Sequence, residues 1–343
     1  MKYNTDKSLN IDLLRVVSCF LVVVLHCVAI GMNDSSHEHW YELNVIESFT
    51  RMSVPLFIMI TGSLLIREKT DLTNALKRAK RLLFILVSWS AIYYSYITYT
   101  GNSDFRLSVF LGMLIRNQIF YHLWYLYAAI GFVLIIPILS AFYHSASRKD
   151  VIIFAAAWMI FLFFGLINLQ LNLNININWS LQIQMFSSLS VYLLLGKLIK
   201  DSAIKADKVT ISIAVMLIVM CTISTSYITK LITPYGGPVN QLFYDNSSLF
   251  IGLSAMSFMF LFMSVNVKSN IIIKIINLVS PCTLGIYLIH PIIIDTLRIF
   301  IFEKYNISPE FGVVTTMPII IFAISLISIL ILILRKIGLS RFM

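Results

Sequence analysis

The chain has 343 residues, of which 59% are hydrophobic and only 12% charged, and its mean hydropathy is +0.87. That charged fraction is about half of what soluble domains carry. It leaves too little polar surface to cover the rest, so a soluble fold is excluded and a polytopic membrane protein is implied. The formal charge of +10 comes from basic residues set between apolar runs, a pattern of membrane topology and not of nucleic-acid binding.

The first apolar stretch, Leu9 to Ile30, contains Arg15 and His26. It is too long for a signal-peptide core, and no small-x-small cleavage site follows it, so it reads as a retained helix. An intramembrane cation and an intramembrane imidazole are each expensive, at roughly 2.5–3.5 kcal/mol near the bilayer centre. Eleven helical steps return to nearly the same face and separate the two by some ~16 Å. Asp12 lies three residues before Arg15 and can pair with it. His26 suits a general base near neutral pH, although a lone membrane His also serves as a hydrogen bonder between helices.

The second span opens with Arg51-Met52-Ser53-Val54-Pro55-Leu56-Phe57 and closes with Thr61-Gly62. Pro55 frees a backbone carbonyl and predicts a kink, and Gly62 permits close helix approach. Arg51 reads either as an outer-end anchor or as a substrate contact. The following loop carries Lys77-Arg78-Ala79-Lys80-Arg81, which serves topology or clamps the phosphates of a cytosolic donor.

Segment 104–120 is less apolar and reads as an interfacial helix. The fourth span begins Tyr121-His122-Leu123-Trp124, an aromatic belt with a histidine inside it. Residues 169–179 alternate Leu or Ile with Asn or Gln and read as an outer loop with strand character. Tyr235-Gly236-Gly237-Pro238 marks a tight turn. The ninth span holds Leu284-Gly285-Ile286-Tyr287-Leu288-Ile289-His290-Pro291, with Asp295 and Arg298 beyond. His290 beside a proline kink suits a structural or gating role. The four cysteines, Cys19, Cys27, Cys221 and Cys282, have neither metal nor redox spacing and read as small buried hydrophobes.

The apolar stretches number ten: 9–31, 47–66, 82–100, 122–142, 151–169, 184–200, 209–229, 247–266, 280–302 and 313–334. With both termini inside, 19 of the 26 Lys and Arg residues fall on the cytoplasmic side and six on the outer side, as the positive-inside bias requires. The expected fold is an all-α bundle of about ten transmembrane helices, N-in and C-in, in one domain over 1–343.

Five patterns occur in order along the chain. They are Arg15-x10-His26, the Arg51-x-Ser53-Val54-Pro55-Leu56-Phe57 run ending in Thr61-Gly62, Arg78-x-x-Arg81, Tyr121-His122-Leu123-Trp124, and Leu284-Gly285-Ile286-Tyr287-x-x-His290. In that order they resemble the membrane acyltransferase-3 family over essentially the whole chain. Two departures stand out: Thr61 where the family commonly has Ser, and no fused extracytoplasmic domain. The resemblance implies O-acetylation of a surface or lipid-linked glycan hydroxyl at the bacterial inner membrane, with acetyl-CoA as donor and no metal. It places the essential pair at Arg15 and His26 and the donor phosphates on Arg78 and Arg81. Arg51, His122 and His290 remain candidate substrate or structural residues. Composition alone suits a second class equally well, a transporter or flippase for a glycan or glycolipid.

Overall fold

A computed structural model describes residues 5–170, 188–202 and 206–297. Among them all regular structure is helical, and eight helical segments are long and apolar enough to cross a membrane. The chain is a polytopic all-α membrane protein. The expected tenth span and the loop at 171–179 lie outside the described residues. The sixth span is described only from Ser188 onward.

Among the described residues the α-helices are twelve, in chain order α1 (Thr5–Val28), α2 (Trp40–Thr50), α3 (Ser53–Leu65), α4 (Leu72–Thr100), α5 (Leu107–Ile115), α6 (Trp124–Ser145), α7 (Arg148–Gln170), α8 (Val191–Lys200), α9 (Lys208–Ile232), α10 (Leu249–Ser264), α11 (Asn270–Val279) and α12 (Thr283–Leu297). They form two compact units. One holds the described residues up to Leu64 and from Ser147 onward, and the other holds Leu65–Ala146.

In the first unit α1 is the hub. It packs against α2, α10, α11 and α12, burying Asn10 and Ser18 and leaving Asp12 and Arg15 half-buried. The segment expected at 47–66 begins earlier, at Trp40, and breaks at Arg51–Met52. Pro55 explains the break, because it cannot donate to the Arg51 carbonyl and its ring crowds it. The ninth segment likewise begins earlier, at Asn270. Pro281 interrupts it, and the 3-10 turn Ser280–Cys282 joins α11 to α12.

Helix α9 shows how lipid inverts the usual pattern. Apart from Ile218, its buried face carries Ala214, Cys221, Thr222, Thr225, Ser226 and Thr229, while Met216, Val219, Met220, Ile223 and Leu231 are exposed. Small and hydroxyl side chains inside, with large apolar ones outside, suit packing where lipid is the solvent. Helices α3 and α8 cross with their backbones touching. A Cβ on Gly62 would strike the Leu193 backbone, and one on Gly196 would strike the Met59 backbone. The Tyr235–Pro238 turn is present: Gly236 has φ +72° and the Gly237 amide donates to Pro234 O at 3.0 Å. Only glycine adopts that φ at no cost.

In the second unit α4 packs along α6. Asp71 caps α4 by accepting from the Asn74 amide at 2.6 Å. The expected interfacial segment contains α5, with Leu107 and Ile115 exposed.

Candidate active site

In the first unit, Asp12 and Arg15 lie one turn apart on α1, and Arg15 Nη1 donates to Asp12 Oδ1 at 2.8 Å. The pair closes onto the turn between α11 and α12. Arg15 Nη1 also donates to Ser280 Oγ at 3.1 Å, and Ser280 Oγ donates to Asp12 Oδ1 at 2.7 Å. The three groups form a closed triangle through Arg15 Nη1, Asp12 Oδ1 and Ser280 Oγ. Ser280 is a member that sequence reasoning missed, since nothing local links it to a residue 265 positions away.

Toward the other end of α1, His26 meets His290 of α12. Their ring centroids are 5.1 Å apart and the planes 28° from parallel. His290, expected beside a proline kink in a structural or gating role, stacks on His26 and is completely buried. Its orientation follows from Pro291. Proline carries no N–H, so the Tyr287 carbonyl, four residues back, loses its helical donor. His290 Nδ1 lies 3.2 Å from Ile286 O and also against that Tyr287 carbonyl. Acceptors beside Nδ1 assign the hydrogen there, so Nε2 is the lone-pair nitrogen.

Arg51 belongs to the same unit and is not an outward-reaching anchor. Its side chain is 20% exposed and ion-paired with Glu47, itself 1% exposed. The guanidinium lies over the Tyr244 ring at 4.7 Å, a cation–π geometry. Tyr244 OH donates to Asn44 Oδ1, and Asn44 Nδ2 donates to Ser226 O at 2.9 Å. Arg51 and His290 are both close enough to bear on His26 electrostatically. Glu47 was missed because the span was expected to begin there. Its i, i+4 spacing to Arg51 was the available signal.

The second unit separates Arg78 from Arg81. A cavity of about 120 Å³ is lined by Arg67, Lys69, Thr70, Asn74 and Arg78 with an apolar wall including Val133. Arg81 is exposed on α4 and is not among the lining residues. Asp71, beside the rim, uses both carboxylate oxygens on Asn74, at 2.6 and 3.2 Å. His122 is buried in an aromatic cluster, 4.8 Å from the Tyr93 ring and 5.6 Å from Phe120.

Acid–base groups, a fixed guanidinium and a cationic cavity on membrane helices are parts that a group-transfer enzyme can use. No solved structure matches the chain. A serine/alanine racemase from Enterococcus gallinarum is 27% identical over 177 residues, which covers 47% of this chain and only 24% of that protein. The acyltransferase domain family matches residues 8–334, a stretch that carries Arg15, His26, Arg51, Arg78, Arg81, His122 and His290. With nearly its whole length matched, the chain belongs to the acyltransferase-3 family of membrane acyltransferases.

Proposed function

We propose that the protein transfers an acetyl group from acetyl-CoA to a hydroxyl of a surface or lipid-linked polysaccharide, with His26 as general base, in the bacterial inner membrane. The acceptor class is taken by resemblance to family members that acetylate enterobacterial common antigen. The observation that carries the reading is the stacked His26–His290 pair on α1 and α12.

His26 takes the proton of the acceptor hydroxyl. The oxygen attacks the thioester carbonyl carbon, and the carbonyl oxygen carries the negative charge of the tetrahedral intermediate. The C–S bond then breaks, and the CoA thiolate leaves and receives the proton from His26. General-base assistance of this kind is typically worth about 10²–10⁴-fold. His290, held by its carbonyl partners, keeps the facing ring in one orientation. The phosphates of the donor are held by Arg78 with Arg67 and Lys69 of the cavity, and Arg81, one turn further along α4 and outside the lining, adds its charge from the exposed face. Guanidinium groups bind phosphate with two parallel hydrogen bonds, which suits a nucleotide handle.

The test uses the purified full chain with acetyl-CoA and a lipid-linked glycan, following free CoA and acetylated glycan. The parent releases CoA in step with acceptor acetylation, and His26→Ala keeps the fold and does neither. A parent protein that moves glycan without cleaving thioester is a transporter. Transfer by His26→Ala at the parent rate removes the base assignment. For the donor site, Arg78→Gln and Arg67→Gln raise the KM for acetyl-CoA more than they lower kcat. An unchanged KM returns these cations to a topological role.

A further inference from the structure

Glu47 is the most deeply buried carboxylate among the described residues, and nothing in the acyl-transfer chemistry above uses it. It sits in the interior of α2 at 1% exposure, four residues before the point where the helix breaks. Burying a carboxylate and a guanidinium costs several kcal/mol per ion, and a well-packed apolar pair often serves the fold as well or better. A pair kept only for packing also normally has its remaining polar atoms satisfied. Here Glu47 Oε2 and Arg51 Nε are both buried and have no hydrogen-bond partner among the described residues. Neither packing nor saturation accounts for the pair.

Its geometry does. Pro55 ends α2 at Thr50, and Arg51 follows as its helical C-cap, the backbone N–H donating to Glu47 O at 3.0 Å, so the place of the guanidinium is decided by what its side chain meets. Glu47, one turn back on continuous helix, ties one edge of the guanidinium, and the Tyr244 ring covers its face. Tyr244 is in turn held by Asn44, which is bonded to α9. The cation is thereby clamped from α2, from the Leu242–Tyr244 turn and through it from α9. Helix α2 packs on α1, the helix that carries His26.

We propose that Glu47 is a positioning residue: it holds the Arg51 guanidinium in one place for the transfer at His26. A fixed cation favours the negative charge that develops on the thioester oxygen, and it needs no reorganisation at the moment of reaction. A mobile one loses most of that benefit. The proposal rests on the acyl-transfer reading given above.

The experiment compares Glu47→Gln, Arg51→Gln, the double variant Glu47→Gln/Arg51→Gln and His26→Ala, each as full-length protein in detergent. Thermal midpoint, kcat and KM for acetyl-CoA are measured. Either single change leaves a buried charge uncompensated and lowers the midpoint, and the double change restores it. In Glu47→Gln, kcat falls about 10²-fold, the scale of a small misplacement at a reacting centre, while the KM for acetyl-CoA stays within about twofold of the parent because the donor handle is held elsewhere. The double variant regains the parent midpoint and not the parent kcat. A double variant with parent kcat, or one that does not fold, makes the pair a structural one and overturns the proposal. His26→Ala with parent activity overturns the base assignment instead, so the two failures are distinguishable.

Discussion

Ser280→Ala separates the helix that carries His26 from the helix that carries His290. The Ser280 hydroxyl donates to Asp12 at 2.7 Å and accepts from Arg15 at 3.1 Å. Hydrogen bonds to charged groups contribute about 1.5–3 kcal/mol when well shielded. Here Arg15 is 27% and Asp12 36% exposed, and the two remain paired after the change, so the combined loss is discounted to roughly 1–2 kcal/mol. At about 2.1 cal/mol/K per residue of unfolding entropy, that lowers the thermal midpoint by roughly 1–3 °C. The functional effect is larger than the stability effect. Ser280 begins the turn that launches α12, and His290 lies ten residues further on. Loosening that joint shifts one imidazole against the other, and a misplacement near 1 Å costs up to about 10²-fold in rate. Thermal unfolding in detergent gives the first quantity and single-turnover CoA release gives the second. A Ser280→Ala protein with parent midpoint and parent rate refutes the claim that the triangle registers α1 against α12.

Gly196→Ala should destabilise by about 1–3 kcal/mol or more, because its Cβ meets the Met59 backbone, whereas Gly131→Ala, which meets nothing within 4 Å, should be neutral or stabilising. Thermal midpoints of the two variants measured side by side check this. Arg15→Lys keeps a cation for Asp12 and should retain substantial transfer, while Arg15→Gln leaves Asp12 without its ion partner and should retain little. Parent activity in Arg15→Gln sinks the view of this helix face as functional. Hydrogen bonds from the Thr210 amide and then its hydroxyl hold the Asp207 carboxyl below the usual aspartate range. Its capping of α9 is therefore fully present above the unfolded-state pKa and lost as pH falls through the lower folded value. Acidification from pH 7 to pH 3 should lower the thermal midpoint more in the parent than in Asp207→Asn, and equal responses would remove the linkage.

The spans were legible because lipid as solvent demands long apolar runs, and that demand is written residue by residue. So was the Asp12–Arg15 contact, which one helical turn dictates, and so was the break before Pro55, which follows from a missing N–H. The start of α2 was not legible: His37 to Asn44 is polar enough to look like loop, and helix forms there because Trp40, Leu43 and Asn44 bury against neighbours. That misplaced boundary put Glu47 at an end, where a carboxylate is cheap. The His26–His290 stack was also hidden, since no local pattern couples residues 264 apart. Arg78 and Arg81 share a helix face and looked like one clamp. The chain before α4 also brings Arg67 and Lys69 to Arg78, a partnership set by loop path and not by helical spacing.

The burial of all four cysteines, each without a disulfide partner, has a practical consequence for mapping this protein in the membrane. A bulky, membrane-impermeant maleimide should leave the parent nearly unlabelled, so the native chain serves as its own cysteine-light background. Single cysteines placed at exposed polar sites such as Asn102 or Thr73 then report which side of the bilayer each loop faces. The N-in arrangement requires Thr73→Cys to label only after the membrane is opened and Asn102→Cys to label in intact cells.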